Sequence, residues 1–198
     1  MSSSDIQSTF IEAGAVDDDA ISTSATVAEN AAMVLVSDHN DALSPPRKIT
    51  LHSAGNSSGI TFTVVGLDET GAAATESITG GNAGSVTSTK YYSSVTSITA
   101  VGTPTDAQKA GIAADIAAPI FRGDLRMRGM YAVNTGTAGT INFTQGSASG
   151  TSRLKFNTVA AANSTEYPDI PEDGVVFRNG GYILFDQTKL SSITVFYA

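Results

Sequence analysis

The 198 residues, 20.3 kDa, suffice for one large domain or two small ones. Cysteine is absent, which excludes disulfide frameworks, thiolate metal sites and cysteine nucleophiles. A net charge of −8 and a pI near 4.5 argue against a nucleic-acid surface, which needs basic clusters, and against anionic membranes. Only 15% of residues are charged, below the roughly 25% of ordinary soluble domains, while Gly numbers 19, so the composition favours strands and turns over long helices.

The first 30 residues hold scattered apolar positions without a sustained period and are expected to form an extended N-terminal arm, with an edge strand within Val27–Val36. The opening MSSSDIQSTF has neither the basic nor the apolar region of a signal peptide. No apolar run approaches the roughly 20 residues of a spanning helix, so a soluble chain is expected.

Period-two alternation begins at Arg47–His52, with Ile49 and Leu51 on one face and Lys48, Thr50 and His52 on the other. The turn-forming AGNSS follows, then Gly59–Val65 with Ile60, Phe62 and Val64 opposite Thr61 and Thr63. Leu67–Gly71 turns the chain back into AAATESITG, which predicts a β-hairpin. GGNAG, residues 80–84, reads as a loop. Val86–Tyr92 and Val95–Val101 read as strands, the second in either of two phases: Val95, Ser97, Thr99 and Val101 inward, or Thr96, Ile98 and Ala100.

Thr105–Ala118 is the one stretch of helical composition, with Thr105 as a cap, Gly111 interrupting it and Pro119 ending it. It reads as a short helix or an irregular linker and marks the domain boundary. A second strand series follows. Leu125–Val133 places Leu125, Met127, Tyr131 and Val133 against Arg126 and Arg128. Thr140–Thr144, Arg153–Thr158 with Leu154 and Phe156 inward, VVFRNGGYILF, and Ser192–Tyr197 with Ile193, Val195 and Tyr197 in phase complete it. Short strands at 8- to 12-residue spacing with Gly-, Asn- and Ser-rich turns suggest sandwiches or barrels. The expected fold is all-β: an extended arm (1–30), a β-sandwich module of jelly-roll or immunoglobulin-like type (31–104), a linker or short helix (105–119) and a second such module (120–198). Gly59–Thr63 echoes Thr140–Thr144, and Thr96–Thr99 echoes Ser191–Thr194, at unequal offsets.

Little of this material suits catalysis. His52 falls on the outer, Thr-bearing face of its strand, and His39 sits in the Asx-rich SDHND turn. Asp17, Asp18 and Asp19 are adjacent, but nothing downstream completes a calcium loop, so they read as a solvated charge run. Arg122-Gly123-Asp124 matches the integrin-binding tripeptide and leads a basic strip with Arg126 and Arg128, fit to pair with a partner's carboxylates or to keep a strand edge soluble. The Gly-rich loops GGNAG and TGTAG lack the Lys and strand-to-helix context of a phosphate cradle. No catalytic, cofactor-binding or metal-binding residues are assigned.

The run ITLHSAGNSSGITFTVVGLDETGAAATESITGGNAGSVTSTKYYSSVTSITAVG, Ile49 to Gly102, resembles a module repeated across tailed-bacteriophage virion proteins, with its SGITFTV hairpin, TESITGGNAG segment and SVTSITA strand. The stretch from LRMRGMYAVNTGTAGTINFT to SSITVFYA resembles a second small β-module of marine phage structural proteins. Together they span Arg47 to Ala198, about three quarters of the chain. The resemblance implies a non-enzymatic structural protein of the virion, a capsid decoration (cement) or head–tail accessory protein. Its expected partners are major capsid or tail subunits and further copies of itself, with no nucleic acid, membrane or cofactor. The arm and exposed strand edges are the expected assembly elements. An alternative is a tail-fibre or spike module binding host glycans through Tyr91, Tyr92, Tyr131, Tyr167 or Tyr182.

Overall fold

The structure, a computed structural model, describes residues 6–12 and 14–198; the expected arm's residues 1–5 and 13 lie outside the described residues. The strands in chain order are β1 (Gln7–Glu12), β2 (Asp17–Thr26), β3 (Arg47–Ser53), β4 (Thr61–Asp68), β5 (Ala73–Thr79), β6 (Ser85–Thr87), β7 (Tyr92–Val101), β8 (Ala107–Phe121), β9 (Leu125–Asn134), β10 (Thr140–Gln145), β11 (Thr151–Asn157), β12 (Thr165–Glu166), β13 (Val175–Phe177), β14 (Gly181–Asp186) and β15 (Leu190–Tyr197). One 3-10 turn, Asp41–Leu43, is the sole helical element among the described residues. The chain is all-β and antiparallel, as its alternation implies.

Two compact units divide it: Ala15–Ala114, and Asp115–Ala198 together with β1. The boundary therefore falls inside β8, not in a linker or helix at 105–119. Ala, Gln and Lys favour a helix in isolation, but β8 is buried almost throughout: Ala110, Ile112, Ile116, Ala117, Ala118 and Ile120 are all covered. A strand buried on both faces shows no alternation, and tertiary packing overrides propensity. Its small residues admit close neighbours; a Cβ on Gly111 would sit 2.1 Å from the Asp17 carbonyl oxygen. Pro119 does not end the strand, because the register with β14 skips Ile120 there, a bulge that tolerates a missing N–H.

The 15–114 unit is built on a sheet ordered β8-β3-β7-β4-β5, with β2 beside β8 and β6 beside β3. Its core joins Ile21, Met33, Leu43, Ile49, Leu51, Phe62, Val64, Tyr92, Val95, Ile98 and Ile112. Residues 17–26, expected as part of the extended arm, are β2, paired to the first half of β8. The edge strand expected within 27–36 reduces to a bridge between Ala32 and Thr99. On β7 the phase ambiguity has a physical source. Thr96 and Ser93 are skipped in the register with β4, and these two bulges turn Tyr92, Val95, Ile98 and Ala100 all inward. Gly66 lies opposite, where a Cβ would come within 2.0 Å of the Ser94 carbonyl oxygen.

In the other unit, one sheet runs β1-β15-β9-β12, with β13 also on β9, and the second runs β11-β10-β14 to the later half of β8. Both contribute to one core: Ile11, Met127, Met130, Phe177, Ile193 and Val195 from the first, Ile116, Ile141, Phe143, Ile183 and Phe185 from the second. Thus the N-terminal residues 7–12, also expected in the arm, form a strand in register with β15, Gln7 opposite Tyr197 through Glu12 opposite Ser192. The expected inward Tyr131 and Val133 are replaced by Met130 and Ala132, because Arg128 is skipped in the pairing of β9 with β15 and flips the phase beyond it.

Candidate functional site

The residues singled out by their chemistry are held by their own fold. His39 has Nδ1 2.7 Å from the Val36 carbonyl oxygen and Nε2 2.8 Å from that of Val95, and Asn40 Oδ1 accepts the Val95 N–H at 2.8 Å. The ring thus fastens the loop to β7. His52 Nδ1 lies 3.1 Å from Ser85 Oγ across the β3–β6 pair. Asp18 is paired with Lys109, and that hydrogen bond lowers its pKa. In a nucleophile–base–carboxylate relay the carboxylate holds the base, whereas here the hydrogen bond of Asp18 goes to Lys109.

Asp17, Asp18 and Asp19 bring carboxylate oxygens within 4.8 Å of one another. The exposed run is partly spent internally: Asp17 Oδ1 accepts the Asp19 N–H, Asp18 takes Lys109, and the hydrogen bond with Asp17 pushes the Asp19 carboxyl upward. In the Arg122-Gly123-Asp124 tripeptide, the Asp124 carboxylate accepts the Asn179 N–H at 2.8 Å and Arg178 Nη1 at 2.7 Å, which together lower its pKa. The Asp of the tripeptide is thus tied to the segment before β14.

Arg126 and Arg128 of β9 reach the loop before β13. Arg126 Nη1 donates to the Asp173 carbonyl oxygen at 2.5 Å and Arg128 Nη1 to that of Glu172 at 3.0 Å. The basic strip therefore fixes its own neighbouring loop. Beside it, Asp124, Leu125, Arg126, Val176, Arg178 and Ala198 line an open recess of about 210 Å³, smaller than the roughly 300–1,000 Å³ of small-molecule sites. Of the tyrosines, Tyr92 and Tyr182 are buried, and burial followed by the Glu76 charge pushes the Tyr92 hydroxyl up. Tyr91 lies under Lys48, its ring 5.3 Å from the ammonium.

What remains open is the outer face of the β1-β15-β9 sheet. Antiparallel register sets two rows across it: Ser8, Phe196 and Gly129, then Phe10, Thr194 and Tyr131. Tyr167 packs against Tyr131 at a tilt of 59°, with ring centroids 4.9 Å apart. Phe10 is 62% and Tyr167 70% exposed. Exposed aromatic rings of this kind are a feature of protein contact surfaces in general. Alternation signals Phe196 as the outward neighbour of Ile193, Val195 and Tyr197. Phe10 has no such signal, because its six-residue strand sits in a stretch without sustained period. No protein-family model, curated protein or solved structure matches the chain. Fold and surface together describe an all-β protein of two separately cored units.

Proposed function

We propose that the protein is a non-enzymatic structural component of a tailed-phage virion, a capsid decoration (cement) or head–tail accessory protein that bridges neighbouring subunits. One observation carries the bridging reading: a single chain builds two units, each with its own hydrophobic core. Their charges also differ. The 15–114 unit holds ten acidic residues against four basic, a net of −6. The other holds nine against seven, a net of −2. Two compact units of different net charge suit two different contacts, and repetition across a symmetric shell multiplies modest contacts into avidity. The jelly-roll or immunoglobulin-like character of the modules belongs to this reading. Its motivation is the resemblance of Ile49–Gly102 and Leu125–Ala198 to phage virion modules. Purified particles analysed by mass spectrometry should contain the chain in many copies; its confinement to the lysate, with none in particles, would overturn the proposal.

The exposed Tyr131–Tyr167 pair favours a second reading, a tail-fibre or spike module that stacks host sugars on these rings. Under that reading, glycan-array binding is lost in Tyr167→Ala; equal binding by the variant, or none by the wild type, would count against it.

A further inference from the structure

We infer that β1 is an assembly edge: it pairs antiparallel with β1 of a second copy of this chain, about a two-fold axis at Phe10. The inference deepens the structural reading by naming one partner, a second copy, and one surface.

An edge strand offers a row of unpaired N–H and C=O groups, and proteins guard such edges with charge, bulges, proline, short length or a covering segment. Among the described residues, the edge strands other than β1 are guarded in these ways, β6 by its length of only three residues. On β11 the skipped residue in the register with β10 is Arg153, and Lys155 follows it. Beside β5, Lys90 Nζ donates to the Thr75 carbonyl oxygen at 2.9 Å, and Glu76 accepts the N–H groups of Thr89 and Lys90. β12 and β13 have two and three residues, separated by a segment containing Pro168 and Pro171. β2 carries Asp17, Asp18 and Asp19, and its Ile21 carbonyl oxygen accepts the Val36 N–H.

β1 differs. Its sequence QSTFIE has no Pro, Gly, Lys or Arg, and its register with β15 runs without a shift over all six residues. Among the described residues, β15 is the strand that pairs with it. Among the described residues no strand covers its other edge, which is unbulged, carries Glu12 as its one charge and is flanked by exposed Phe10.

Alternation then restricts the partner. Ser8, Phe10 and Glu12 face out, and Thr9 and Ile11 face in. Directly opposed residues of an antiparallel pair share a face, so the two-fold must pass through a residue and not between two. An axis at Phe10 sets the Phe10 rings of the two copies side by side, Thr9 opposite Ile11, and Ser8 opposite Glu12. The one charged residue of β1 thus meets a hydroxyl, and no like charges oppose each other even in a chain of net charge −8. The same pairing of two β11 strands would bring their Arg153 and Lys155 residues together.

The chain has no cysteine, so single substitutions report the register directly. Wild-type protein in sedimentation equilibrium at micromolar concentration should show twice the 20.3 kDa chain mass, and Phe10→Lys should sediment as a monomer with unchanged circular dichroism. Under mild oxidation, Phe10→Cys should give a disulfide-linked dimer as its main product. Ser8→Cys should not, because its two thiols would lie roughly 13 Å apart along the paired strands, past disulfide reach. A wild-type monomer at every concentration, or cross-linking of Ser8→Cys in place of Phe10→Cys, would overturn the inference. Particle composition is a separate readout: a monomer present in virions defeats the edge pairing alone, and a dimer missing from virions defeats the virion role alone.

Discussion

Two strands of the same unit, β1 and β11, are both outermost in their sheets and were treated in opposite ways. β11 is bulged at Arg153, carries a second cation at Lys155 and is exposed at five of its seven residues. β1 is unbulged, bears no cation and turns Phe10 to solvent. The difference teaches that exposure of backbone groups is not itself an invitation to associate; the side chains flanking the edge decide.

The largest expected effect comes from the core beneath β11. Phe143 is fully buried and meets Phe156 of β11 edge-on, centroids 6.0 Å apart. Phe143→Ala should lower unfolding free energy by about 3–5 kcal/mol in urea titration; a loss under about 1 kcal/mol would mean that β11 is not anchored through this pair. Next is Gly150, in the turn joining β10 to β11, where a Cβ would fall 1.8 Å from the Gln145 carbonyl oxygen. Gly150→Ala should cost about 1–3 kcal/mol and speed amide exchange in β11 while leaving β1 as it was. Equal acceleration in both strands would erase the contrast between them.

A smaller effect on stability, with a larger one on association, is expected from removing the guards. Arg153→Ser with Lys155→Ser should change stability by less than about 0.5 kcal/mol per site. Light scattering should then show association beyond that of the wild type, and unchanged scattering would show that these cations do not protect the edge. The smallest effect concerns acid. The Asn179 N–H and Arg178 hold the Asp124 carboxyl below its ordinary value of 3.8. Unfolded chains therefore bind its proton more readily, so its stabilisation is complete above that value and drains away as pH falls below it. Asp124→Asn should flatten the dependence of the thermal midpoint on pH below about 4. Parallel curves for variant and wild type would place the acid sensitivity elsewhere, Asp68 being next. There, burial pushes the carboxyl up, but hydrogen bonds from Thr70, Ala72 and Gly71 together bring it below its usual value.

Alternation made β3, β4, β5, β10 and β15 legible, down to the inward Ile193, Val195 and Tyr197. It failed where one residue was inserted. The bulges at Thr96, Ser93 and Arg128 change phase without any signal in composition, since Ser, Thr and Arg suit a regular outward position equally. β8 was hidden because a strand covered on both sides needs small apolar residues, and Ala and Gly carry helix or loop propensity instead. β1 and β2 look like an arm in the sequence because six and ten residues of mixed polarity acquire strand character only from the partners β15 and β8. The outer aromatic face was half visible: Phe196 lies in a long alternating strand and Phe10 does not.

Amide hydrogen exchange of β1 and β11, followed side by side as protein concentration rises, tests the central claim most directly. Slowing of Gln7–Glu12 with concentration, while Thr151–Asn157 exchanges at a constant rate, is the expected result. Equal exchange of β1 at all concentrations would contradict the claim that this edge joins copies of the chain.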